Sequence, residues 1–185
     1  TGQRALHTYV VSFSELGDDL NQWRAYGSSG GFCLGFDAKY LETIASAQHF
    51  GLFQCVYDDS QKSVLVDGLM QSALLDFAST EAQVTDDDLS AGLGIYTEIG
   101  PSAALMTLGD RFFLQAQQVA CRIKNNAFRA EREWRLVSVK QPESESLNFR
   151  STKSMLIPYL RFCLAEEGKP MALAALLAGP SPHVG

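Results

Sequence analysis

Three observations predict an α+β domain, with a single mixed, mostly antiparallel sheet and helices packed on its faces. Short segments rich in β-branched and aromatic residues come early in the chain, at 8–13, 32–36 and 52–57, and late, at 133–139. Between them lies a helical middle, where apolar residues recur every three or four positions. This grouping of strands apart from helices argues against a doubly wound parallel sheet, which would alternate them. The composition fits one ordinary domain over 1–185, with 46% hydrophobic and 19% charged residues. With 15 Lys and Arg against 21 Asp and Glu, the net charge is −6. A collagen-like or disordered chain is excluded, and so is a basic nucleic-acid coat, because an acidic surface repels phosphate. The longest apolar runs, such as 171–178, are too short to span a bilayer.

The elements follow in order. Thr8 to Phe13 reads as a buried strand. Ser12 and Glu15 have capping-box spacing, and Ser14 or Asp18 is the expected N-cap of a helix through Asp19 to Tyr26. Leu16, Leu20, Trp23 and Gly27 share one face of it, and the 27–31 run of glycine and serine stops it. Phe32 to Phe36 is a second strand, Asp37 caps a helix through Leu41, Ile44 and Ala45, and Leu52 to Tyr57 is a third strand. A helix is expected over 64–78, with Leu65, Leu69, Ala73 or Leu74, and Phe77 on one stripe; Asp86, Asp87 and Asp88 form a turn or N-cap cluster. The strongest helix runs from Ser102 to Ile123, along Leu105, Leu108, Phe112, Ala116, Val119 and Ile123. Glu133 to Val139 alternates cleanly, with Trp134, Leu136 and Ser138 facing one way and Glu133, Arg135 and Val137 the other. Two short edge strands follow, 147–150 and 155–159, the second limited by Pro158. Met171 to Ala178 reads as helix on its alanine content.

Three local features carry chemistry. Ser12 and Ser14 end a strand two positions apart, so both hydroxyls share a face and can bind a polar ligand or order a carboxylate; the competing role is capping. Trp23 and Tyr26 lie three apart on one helix and can stack a planar ring such as nicotinamide or adenine; the competing role is core packing. The glycines that follow lack the Gly-Lys-Ser/Thr of a phosphate loop. Glu131 and Glu133 form an acid-x-acid pair entering an apolar strand, with Cα atoms about 6–7 Å apart if extended. Such a pair can stabilise an oxocarbenium-like centre, and the competing reading is a solvated loop paired with Arg129, Arg132 and Arg135. The cysteines Cys33, Cys55, Cys121 and Cys163 include no Cys-x-x-Cys and sit in apolar settings, so they read as buried reduced thiols in a cytoplasmic protein. His7, His49 and His183 have no assignable partner, and no metal is expected.

The blocks Tyr9 to Glu15, Asp19-Leu20, Trp23, Tyr26-Gly27, Gly31 to Asp37, Phe128 to Val137, Phe149-Arg150, Leu156 to Tyr159 and Ala178 to Ser181 together resemble a bacterial and phage family catalogued as a domain of unknown function. The resemblance implies a bacterial cytosolic protein, often from mobile or accessory genes, with no assigned reaction. It also implies a segment ahead of Thr1 carrying His-Tyr-Thr and Asn-Asp motifs, a last helix beyond this sequence, and a strand rather than a helix at 173–179. The chain is therefore expected to be truncated at both ends. More distantly, a strand ending Ser-x-Ser followed by a late Glu-x-Glu is similar to the order in ADP-ribosyltransferases. That resemblance implies that Ser12 and Ser14 support an NAD pocket, that Tyr26 or Trp23 packs on nicotinamide, and that Glu133, with Glu131 beside it, is the catalytic glutamate that hydrogen-bonds the ribose and stabilises the oxocarbenium.

The leading expectation is thus an NAD-consuming transferase or glycohydrolase with a toxin or defence role. Its acceptor would be an unassigned protein or nucleic acid, touched as substrate rather than held as a stable partner, with no membrane association. The alternative is a non-catalytic module that binds a ligand or protein. A metal-dependent hydrolase using Asp86 to Asp88 is disfavoured, because three consecutive acids point in different directions.

Overall fold

A computed structural model describes residues 7–27, 30–81, 103–166 and 168–180. In chain order the elements are β1 (Val10–Ser14), α1 (Leu20–Tyr26), β2 (Phe32–Gly35), α2 (Ala38–Ala47), β3 (Phe50–Gln54), α3 (Asp59–Glu81), α4 (Ala103–Arg122), a 3₁₀ turn (Asn126–Glu131), β4 (Glu133–Ser138), a short 3₁₀ turn (Ser144–Ser146), β5 (Asn148–Ser151), β6 (Leu156–Tyr159) and β7 (Ala175–Ala178). The class is α+β. Among the described residues the strands make three antiparallel sheets, β1-β4-β3, β2-β7 and β5-β6, where the sequence led to one mixed sheet. The reason is that, outside the local β5-β6 hairpin, pairing partners lie far apart in sequence, so no local pattern says which edges meet.

In the main sheet β4 is central. Val10 pairs with Val137 and Ser14 with Glu133 on one side, and Gly51 pairs with Val137 and Phe53 with Arg135 on the other. Period two then sorts the side chains. Phe13, Leu136 and Leu52 fall on one face, which packs with Phe50 against Ala45 of α2 and against Tyr9, Leu160 and Phe162. Ser12, Ser14, Arg135 and Glu133 fall on the other, the side of α4. The alternation expected for Glu133 to Val139 is therefore present, but the strand is covered on both faces: Leu136 and Val137 are fully buried.

Asp37 caps α2 as expected, its carboxylate accepting the Tyr40 N–H at 3.0 Å. For α1 the cap is Asp19, which accepts the Asn21 N–H at 2.9 Å, rather than Ser14 or Asp18. Ser14 is instead held by Glu131 and Leu16, and Asp18 accepts the Trp23 indole N–H at 2.7 Å. Glu15 likewise closes no capping box; it accepts from Trp134 Nε1 at 2.8 Å.

The helix expected at 171–178 is corrected to strand β7, in line with the family resemblance. An isolated eight-residue helix is marginal in water, whereas β7 pairs with β2 from Phe32↔Ala178 to Gly35↔Ala175. This ladder helps seat Trp23: Cβ atoms on Gly27 and Gly179 would meet its ring at 2.8 and 2.7 Å, so both positions need glycine. The cysteines are free, but only Cys55 is buried and Cys163 is exposed, which corrects the uniformly buried reading. Asp86 to Asp88, the 101–102 helix start, the serines at 28–29 and His183 lie outside the described residues. Among the described residues no helix is long and apolar enough to cross a membrane.

Candidate functional site

The Ser12–Glu133 face of β1 and β4 meets the end of α4 at a hollow of about 410 Å³, lined by Ser12, Phe13, Ser14, Gln22, Tyr26, Lys124, Glu131 and Glu133. A smaller one of about 270 Å³ shares Ser12, Phe13, Ser14, Gln22 and Tyr26 and continues past Trp23 to Phe32. Together they form a groove across the C-terminal end of β1.

Glu133 is the anchor of this site. Ser14 stands opposite it in the ladder, yet the hydroxyl that reaches it is Ser12, which donates to Oε1 at 2.5 Å. Arg135, two residues along the same face, forks onto it, Nε to Oε1 at 2.7 Å and Nη2 to Oε2 at 3.2 Å. Its remaining arm, Nη1, donates at 2.6 Å to the Cys121 carbonyl, one of the last α4 carbonyls left without a helical partner. Lys124 pairs with Glu133 Oε2 and, at 2.5 Å, with Glu131 Oε2. The Glu133 backbone N–H donates to the Tyr57 hydroxyl at 2.9 Å. Glu133 itself is only 5% exposed. Burial works against its ionisation, but hydrogen bonds from Arg135, Lys124 and Ser12 outweigh burial and hold its pKa at about 2. For Lys124 burial again opposes the charge, and the two carboxylates override it and raise its pKa. Burial also raises the thiols of Cys55 and Cys121. Glu133 is therefore a fixed anion at neutral pH, suited to stabilising positive charge or accepting from a hydroxyl, and not to trading protons.

The two acids converge because the backbone kinks between them. Glu131 ends the 3₁₀ turn, and Arg132 adopts the left-handed conformation, φ 44° and ψ 53°, before the strand begins. An L side chain is strained there. Arg132→Gly is expected to leave stability within about 1 kcal/mol, and Arg132→Val to lower it by about 1–2 kcal/mol, because a β-branched residue tolerates this region worst; urea unfolding of both variants checks this.

The structure brings five of the six expected residues, Ser12, Ser14, Tyr26, Glu131 and Glu133, onto one hollow, and puts Trp23 on the adjoining one. Their parts differ. Ser14 donates to the Glu131 carbonyl at 2.9 Å and shapes the loop. Trp23 is buried core, whereas Tyr26 is 85% exposed at the rim. The loop reading of the acids is half right: Arg135 does pair with Glu133, but in a buried site, while Arg129 pairs with Asp58. Lys124, Tyr57 and Gln22 were not singled out by the sequence. Among the described residues no group of three or more His, Cys, Asp or Glu could hold a metal ion.

Residues 22–136 match the profile of DUF2971, described as a protein of unknown function. The match takes in Trp23, Tyr26, Lys124, Glu131 and Glu133 and begins after the two serines. No curated protein and no solved structure matches the chain. Because the matched span exceeds half its length, the chain belongs to this family.

Proposed function

For this member of the DUF2971 family we propose an NAD-consuming activity, ADP-ribosyltransferase-like or glycohydrolase, carried out in the groove at Glu133. One observation carries the reading: Ser12 and Glu133, 121 residues apart in the chain, meet at 2.5 Å on the wall of a ligand-sized hollow. Nicotinamide leaves with both electrons of the bond to ribose C1′. The cation left on the ribose is stabilised by the ionised Glu133 carboxylate, and water or an acceptor group on a protein or nucleic acid then bonds to C1′ and releases its proton to solvent. Tyr26 at the rim offers its ring to the nicotinamide. Such a protein would act in the bacterial cytoplasm as a toxin or defence effector.

The second reading, a non-catalytic module that binds a ligand or protein, is favoured by the pairing of both Glu133 oxygens with cations, Lys124 and Arg135. Incubation with labelled NAD separates the two. The enzyme reading expects nicotinamide release that falls by about a hundredfold in Glu133→Gln. Binding of NAD without release leaves the module reading, and neither binding nor release discards NAD.

A further inference from the structure

We propose that Lys124 is a resident counter-ion that sets the ligand charge this hollow accepts: it pairs with Glu133 until a cationic ring takes that carboxylate, and then stays on Glu131. The inference rests on the reading that this hollow is the ligand site.

The geometry allows the exchange. The Lys124 backbone is fixed, its N–H donating to the Val56 carbonyl at 3.0 Å beside the Val56–Ile123 bridge. Its ammonium is not committed to one partner, because it spans Glu131 and Glu133. If it lets go of Glu133, that carboxylate keeps Ser12 and the Arg135 fork. Glu131 can hold the lysine alone, and its Oε1 accepts no hydrogen bond among the described residues. The Phe128 ring, 5.1 Å from the ammonium, adds a cation–π contact that does not depend on Glu133. Charge counting then gives the direction. Two carboxylates balance Lys124 and Arg135, so the site is neutral overall. A ligand cation must compete with a cation already present, and a neutral ring need not.

Two variants move this balance in opposite senses. Lys124→Met leaves one net negative charge and Glu131→Gln one net positive charge. The probes are 1-methylnicotinamide, a pyridinium cation methylated on its ring nitrogen, and nicotinamide, a neutral ring of similar size, titrated calorimetrically into the whole protein. We expect Lys124→Met to bind the cation about tenfold more tightly, Glu131→Gln to bind it several-fold more weakly, and both to leave nicotinamide within about twofold. Lys124→Gln serves as a second variant should the methionine form fail to fold, with the same expected direction. A lysine that only supports the fold would shift both probes together, or both variants the same way. Either of those results overturns the proposal, as does cation binding no tighter without the lysine than with it. Opposed shifts without nicotinamide release from NAD would keep the counter-ion and discard the enzyme; release with parallel shifts would do the reverse.

Discussion

Leu136→Ala is expected to lower the unfolding free energy by about 2–5 kcal/mol, the largest loss from any single truncation we foresee. Leu136 sits mid-way along the central strand with no exposed surface, flanked in register by Val11 and Leu52. Its side chain meets Ala45 and Phe50, and Tyr9, Phe13, Leu160 and Phe162 close around that cluster. These neighbours come from both edge strands, from a helix and from the segment after β6, so they cannot collapse together into the space that an alanine leaves. The upper part of the range follows from that rigidity. Equilibrium urea denaturation measures it, and a loss under 1 kcal/mol would mean that the core is looser than the packing implies.

Acid is expected to remove a comparable amount through one carboxyl. Glu133 ionises at about 2 in the folded chain against an ordinary value of 4.5. A depressed carboxyl stabilises the fold above its unfolded pKa, and that contribution disappears as pH falls from about 4.5 to about 2. The unfolded state binds the extra proton over this window, so stability rises with pH across it. At about 1.4 kcal/mol per pH unit the effect is on the order of 3 kcal/mol. Glu133→Gln lacks it and also leaves Arg135 and Lys124 facing an uncharged amide, so it is the less stable protein at neutral pH. The gap between the two proteins should narrow as pH drops through the window, read from denaturant midpoints at successive pH values. A gap independent of pH would show that Glu133 is not held by these cations.

Much of this site was legible because its signals are short-range. Ser12 and Ser14 share a face by strand periodicity, and Glu133 stands out as a charge at the mouth of an apolar strand. Asp37 announced its helix because a cap needs only the next few residues. What escaped depends on contacts between distant segments. Nothing around Lys124 marks it as a ligand of Glu133; the pairing requires the end of α4 to be pinned to Val56. Trp23 and Tyr26 lie three apart on one helix, and it is the close approach of Gly27 and Gly179 to the Trp23 ring, with the indole N–H donated to Asp18, that makes one core and leaves the other at the rim. The 171–178 run favours helix by composition, and its strand form exists only because β2 offers a partner.

The pairing of Phe32–Gly35 with Ala175–Ala178 has a temporal consequence. During synthesis the first of these strands leaves the ribosome long before its mate, so the wall of the groove around Trp23 stays unfinished until nearly the whole described chain has been made. Contacts that close such long loops are slow to form. The main sheet, complete once Ser138 has emerged, can assemble earlier, and a newly made molecule would acquire its carboxylate cluster before it acquires the aromatic half of its groove.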